Sequence, residues 1–231
     1  MTEPIHGPHL DAKNGQAKQL VVFLHGYGAD GKDLIEIGRQ WRAWLPDAAF
    51  AAPNAPEPCA MSPMGRQWFG LSNRRPDERE GADERWLGVT KARPALDAFL
   101  DSELARLGLD DSRLALVGFS QGTMMALHVG LRRKRAPASI VGYSGLLVGA
   151  EHLAEADARD SRGGRPPILL VHGDQDPVIP LEALFVSSEE LAKADFPNQW
   201  HLSIGIGHGI DNGGLRHGGL FIAKGFGLKV G

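Results

Sequence analysis

Four side chains in this sequence have types and settings suited to acyl-transfer chemistry. Gly118-Phe119-Ser120-Gln121-Gly122 follows a short apolar run at 114–117 and leads straight into a helical pattern at 121–133. A serine on so sharp a strand-to-helix turn is thrust into the open, and small residues on either side relieve the crowded backbone. The helix N-terminus behind it favours negative charge as it develops on a reacting carbonyl. The bare pattern carries little weight, because 30 glycines and 11 serines yield it by chance about 0.2 times in this length, so its meaning comes from the flanking strand and helix.

A nucleophilic serine needs a base, and the base needs a carboxylate to orient it. After such a turn the partners follow in the order aspartate then histidine, each just beyond a later strand. The apolar run 168–171 ends in His172-Gly173-Asp174-Gln175-Asp176-Pro177. Asp174 and Asp176 are both candidates, the other being a turn or capping residue. The run 200–204 ends in Gly205-Ile206-Gly207-His208-Gly209, whose glycines let His208 swing over the sheet edge toward Ser120. His217 is the reserve candidate and is expected on the surface. Donors for an oxyanion are also required. One is the backbone N–H of Gln121, directly after the nucleophile. The other is assigned to the N–H of Tyr27, in the loop His25-Gly26-Tyr27-Gly28-Ala29-Asp30-Gly31.

Positioning these groups falls to six short apolar runs, at 20–24, 48–52, 114–117, 139–143, 168–171 and 200–204. They lack strict polar alternation, which is the pattern of strands buried on both faces of a mostly parallel sheet. Between them, 32–45, 89–107, 121–133 and 181–192 carry apolar residues at helical spacing. Pro94 marks a first-turn position or a kink. The alternation predicts an α/β domain over 20–231 with helices on both sides of the sheet, preceded by an irregular N-terminal arm over 1–19. In residues 72–85, nine of 14 are charged. That block reads as a solvated loop or short surface helix, with a lid over the substrate site as the sharper alternative.

Lys plus Arg number 25 and Asp plus Glu 28, a net charge of −3 that speaks against nucleic-acid binding or attachment to a membrane by charge. No apolar run approaches ~18 residues and the first 19 are polar, so integral membrane association is not expected and the expected location is cytoplasmic. The single cysteine, Cys59, can form neither an internal disulfide nor a thiolate metal cluster. Gly26, Gly28 and Gly31 satisfy a dinucleotide-binding pattern, yet the acidic residue required at the end of the second strand is missing from Ala52-Pro53-Asn54-Ala55-Pro56. His6 and His9 fall in the arm. His25 and His172 sit in strand-end His-Gly pairs that could meet at the sheet edge, where bracing the loops is the simpler role. No metal is expected.

Taken in order, these pieces resemble the carboxylesterase/phospholipase family of α/β-hydrolases, which includes the acyl-protein thioesterases. The matching segments are Leu24 to Gly31, Ala52 to Pro56, Gln67-Trp68-Phe69, Gly118 to Gly122, Tyr143-Ser144-Gly145, His172 to Pro180 and Gly207-His208. The resemblance implies an α/β-hydrolase fold without a large cap domain and with no cofactor. It implies Ser120 as nucleophile, His208 as base and, from the Asp-Pro pair, Asp176 as the acid. It also places Trp68 and Phe69 near an acyl-binding face, with core packing as their alternative. Two departures stand out. The stretch 209–214 is glycine-rich, so the last helix is expected to begin late, and the charged block before Trp86 puts substrate size in question.

The expected function is a serine carboxylesterase cleaving carboxylic esters or thioesters of short to medium acyl chains, with a small-molecule ester as partner and a homodimer from base rates. The alternatives are a lysophospholipase or acyl-protein thioesterase acting on long chains, and a non-catalytic relative that only binds a small molecule. A dienelactone hydrolase would be expected to carry cysteine where Ser120 stands.

Overall fold

The computed structural model describes residues 4–71, 79–158 and 164–229. Its elements in chain order are β1 (His9–Leu10), β2 (Gln19–Leu24), α1 (Gly31–Trp41), β3 (Ala48–Ala51), β4 (Glu57–Pro58), β5 (Arg66–Gln67), α2 (Arg79–Leu107), β6 (Leu114–Phe119), α3 (Gln121–Gly130), β7 (Ser139–Tyr143), β8 (Ile168–Gly173), α4 (Glu182–Lys193), β9 (Asn198–Ser203) and α5 (Asn212–Gly225). Two short 3-10 turns precede β6 and β8. Seven strands form one sheet in the order β1-β3-β2-β6-β7-β8-β9, parallel throughout except for β1.

Strand side chains alternate between faces, so a strand covered on both sides feeds two cores. In β2, Leu20, Val22 and Leu24 join the layer with Leu96, Leu100 and Met125, while Val21 and Phe23 join the layer with Trp41, Phe50 and Ile222. Helices α2, α3 and α4 supply the first layer and α1 and α5 the second. Every residue of α3 is buried, which explains its apolar character all the way round.

After β2 the chain passes through α1 to β3 on one side, then returns to lay β6 on the other side of β2. The loops leaving β2 and β6 therefore diverge and open a crevice at the C-terminal ends of the strands, the place where open α/β sheets hold their ligands.

The structure corrects four expectations. The N-terminal arm is not wholly irregular: β1 pairs antiparallel with β3, and the His9 imidazole lies 3.2 Å from the Glu103 carboxylate. The charged block is neither a loop nor a short surface helix from residue 79 onward, because α2 begins there and runs to Leu107 with Pro94 in its interior. Residues 72–78, the rest of the suggested lid, lie outside the described residues. Strand β9 is a sheet edge rather than a strand buried on both faces, with Trp200 49% exposed. The last helix begins within the glycine-rich stretch, at Asn212, because Asp211 caps it by accepting from the N–H groups of Gly213 and Gly214. Its glycines are steric in purpose: a Cβ at Gly218 would overlap the Tyr143 hydroxyl, and one at Gly219 would press on Trp44 and Trp41.

Among the described residues no helix is long and apolar enough to cross a membrane.

His128, on α3, is buried against Trp86 of α2, with the two rings edge to face at 5.2 Å. Burial, reinforced by the charges of Arg132, Arg93 and His152, pushes its pKa down to about 3. The folded pKa lies below the unfolded one, so this group's stability is present above the unfolded value and is lost as pH falls. Between pH 8 and pH 5 the unfolding free energy should drop by about 2 kcal/mol on this account. Denaturant titrations across that range should show the slope in the wild type and lose that share of it in His128→Gln.

Candidate active site

Ser120 joins β6 to α3 with φ 53° and ψ −115°, a region that a side-chain-bearing residue enters only under constraint. The glycines of the elbow supply that constraint. A Cβ at Gly122 would overlap the Leu24 carbonyl, and one at Gly118 would overlap the backbone of Gly122 and Thr123. The strand and helix can therefore meet only with hydrogen at both places, and the serine is left on the outside of the bend. It lines a cleft of about 470 Å³ with Tyr27, Asp30, Met64, Phe119 and His208.

His208 stands on the loop after β9. Its Nδ1 lies 2.8 Å from Asp176 Oδ2, so Nδ1–H donates to the carboxylate and Nε2 keeps its lone pair. The Asp176 side chain has no exposure at all, whereas the His208 ring is 19% exposed. A buried carboxylate must be satisfied. The other oxygen, Oδ1, accepts from the N–H groups of Val178 at 2.8 Å and Ile179 at 2.9 Å. Phe119 flanks the imidazole with a ring separation of 5.0 Å.

Of the two aspartates open in the sequence, Asp176 meets His208 and Asp174 braces its loop. The Asp174 carboxylate accepts from the N–H of Gly205, whose φ of +75° turns the chain there. The N–H of Gln175 donates to the Ile206 carbonyl, and that of Gly209 to the Gly207 carbonyl around a tight turn at His208. The hydroxyl of Ser144 donates to the Gly209 carbonyl at 3.2 Å. His217 is exposed on α5, stacked on His201.

Gln121 opens α3, so its N–H is one of the donors that a helix leaves unused at its N-terminus. Tyr27 lies in a loop held against Ser120, since a Cβ on Gly26 would come 3.4 Å from the Ser120 Cβ. Among the described residues, neither the Tyr27 nor the Gln121 N–H donates to another group. Both N–H groups are left without a protein acceptor at the strand ends.

His25 and His172 do not meet, because β6 and β7 stand between their strands. His25 is a brace: its Nε2 accepts from the Ala55 N–H and its Nδ1–H donates to the Gly26 carbonyl. Burial lowers its pKa, which keeps the ring in the neutral form that these bonds require. No group of three or more metal-ligating side chains occurs among the described residues.

Trp68 and Phe69 are buried, 1% and 3% exposed, and do not line the cleft at Ser120. Core packing, the alternative to an acyl-binding role, describes them. The indole N–H of Trp68 donates to the His25 carbonyl. The feature that sequence reading missed is the Gln121 side chain. Its Oε1 accepts from the Trp68 N–H at 2.9 Å and its Nε2 donates to the Phe69 carbonyl at 2.8 Å. A glutamine after a nucleophile gives no local sign of this; its partners lie some fifty residues earlier.

Comparison with known proteins places this fold in a family. The profile of the phospholipase/carboxylesterase family matches residues 6–224. The esterase YpfH of Escherichia coli K12 is 26% identical over 200 residues, covering 87% of this chain and 80% of that protein. Acyl-protein thioesterase 1 of Schizosaccharomyces pombe is 32% identical over 163 residues, 69% of each chain. The crystal structure of esterase PE8 superposes with a TM-score of 0.88 at 42% identity, covering 96% of this chain and 99% of the other.

The double hydrogen bond of Gln121 yields a stability test. Gln121→Leu leaves a buried N–H and a buried carbonyl without partners, at a cost of about 2–4 kcal/mol. Thermal melts should show a fall of several degrees, and an unchanged melting temperature would refute the clamp.

Proposed function

The chain belongs to the phospholipase/carboxylesterase family and is a serine carboxylic ester hydrolase; we propose that Ser120, His208 and Asp176 are its catalytic triad, acting through an acyl-enzyme. The observation that carries the assignment is the 2.8 Å bond between His208 Nδ1 and the solvent-free Asp176 carboxylate, beside a cleft that Ser120 lines.

Ser120 Oγ attacks the ester or thioester carbonyl while His208 Nε2 takes its proton. Asp176 holds the ring in the Nδ1–H tautomer and stabilises the imidazolium that forms. The N–H groups of Tyr27 and Gln121 receive the oxyanion, which collapses to the acyl-enzyme as His208 protonates the departing alcohol or thiol. Water then attacks with the same base, and the acid leaves with Ser120 restored.

An open cleft of about 470 Å³ suits short to medium acyl chains. The long-chain alternative draws on the acyl-protein thioesterases among the relatives. Asp30 and Asp33 are the carboxylates lining the cleft. They favour neutral or cationic esters over anionic ones. A cytoplasmic location and a homodimer remain part of this reading, on composition and on the prevalence of two-fold pairs.

Hydrolysis of p-nitrophenyl esters from acetyl to palmitoyl tests both chemistry and chain length. Ser120→Ala should lower kcat by roughly 10⁵-fold or more and Asp176→Asn by roughly 10⁴-fold, with both proteins folded. Near-normal turnover in Ser120→Ala would end the assignment. The wild-type kcat/KM should fall on acidification, because a protonated His208 cannot accept the serine proton; a profile flat from about pH 5 to 9 contradicts that role. A preference for palmitoyl would move the substrate reading to the long-chain alternative. A hemisuccinate ester should react several-fold more slowly than the matching butyrate, a gap that Asp33→Asn narrows.

A further inference from the structure

We infer that His172 is a positioning residue of the active site, holding the Asp176 carboxylate and its turn so that the carboxylate meets His208 in one orientation; this rests on the triad reading above. His172 is the last residue but one of β8 and its side chain is 1% exposed. Its Nε2 lies 2.9 Å from the Ile179 carbonyl oxygen and 3.4 Å from Asp176 Oδ2. Both neighbours are pure acceptors, so Nε2 carries a hydrogen; it donates to the Ile179 carbonyl, with Asp176 Oδ2 packed beside it. Nδ1 is buried and has no hydrogen-bond partner among the described residues.

These contacts close a ring. Ile179 donates its N–H to Asp176 Oδ1, and its carbonyl accepts from His172. Asp176 Oδ2 faces His208 on one side and His172 on the other. The carboxylate thus has Oδ1 tied by two backbone N–H groups and Oδ2 set between two imidazoles, so rotation about its last bond would break contacts at both oxygens. Without the His172 donor, the Ile179 carbonyl would lose its tie to β8, and with it the turn whose Ile179 N–H holds Asp176 Oδ1. His172 does not line the cleft at Ser120, so its influence on the reaction must pass through Asp176.

A purely packing role would place His172 here just as well, and the choice of variants separates the two. In His172→Gln the carboxamide nitrogen can occupy the place of Nε2 and keep the donor. In His172→Leu the bulk stays and the donor goes. Steady-state hydrolysis of p-nitrophenyl butyrate is measured for both, alongside wild type and Ser120→Ala, with active sites counted by a fluorophosphonate. The Leu variant should lose roughly 10- to 100-fold in kcat per titrated site at nearly constant KM, since misorientation by a fraction of an ångström is enough for that. The Gln variant should return to within a few-fold of wild type. Wild-type kcat in His172→Leu would overturn the inference, as would equal loss in the Gln and Leu variants. If His172→Leu yields no folded protein, His172→Asn decides, because its shorter carboxamide cannot reach the Ile179 carbonyl: slow turnover supports the inference and wild-type turnover refutes it. A folded wild type that neither hydrolyses nor labels would defeat the triad reading itself, an outcome distinct from all of these.

Discussion

The contact between α3 and β2 at Gly122 leaves no room for a Cβ against the Leu24 carbonyl, and much of the molecule is arranged around that approach. It forces the chain to reverse within Gly118 to Gly122, and Ser120 takes up the bend in a backbone conformation that few non-glycine residues adopt. Such a bend survives only where its surroundings hold it. Here the Ser120 N–H donates to the Tyr143 carbonyl, while the Gln121 side chain ties the same turn to the segment after β5. The elbow is thus anchored to a neighbouring strand and to a loop from the other side of the crevice.

A second constraint is electrostatic. Asp176 keeps a carboxylate wholly out of water, an arrangement that is costly unless each oxygen finds donors. Two backbone N–H groups and His208 answer that need, with the His172 ring packed beside them. The same solvation argument assigns Asp174 elsewhere, since its carboxylate serves the N–H of Gly205 and so holds the loop that presents His208. Stability and chemistry coincide here: the bonds that make the buried charge tolerable also leave one nitrogen of His208 free on its other edge.

Local pattern carried the elbow serine, the chain order of its candidate partners, the parallel strands and the helices between them. These are legible because they rest on short-range rules: a helix must bury a stripe at its own period, and a serine between a strand and a helix needs small neighbours. The departures arise where distant partners decide. Glycines 213 and 214 argue against a helix by propensity, yet α5 begins there because the Asp211 cap supplies the missing bonds, and at Gly214 a Cβ would press on Val171. Charge made residues 79–85 look like a loop or a short surface helix, but they extend a long helix whose later turns are anchored in the core by Leu96 and Leu100.

From the sequence alone came the candidates: Ser120, His208, and a pair of aspartates of which the family resemblance favours Asp176. Those are matters of residue type and of distance along the chain to the nearest strand end. The tertiary structure decided the rest. It put Asp176 on His208 and Asp174 on Gly205, buried Trp68 and Phe69 as supports, and made the Gln121 side chain a clamp. The physical reason is that a side chain's role depends on whether water or another group satisfies it, and that follows from packing between segments far apart in the chain.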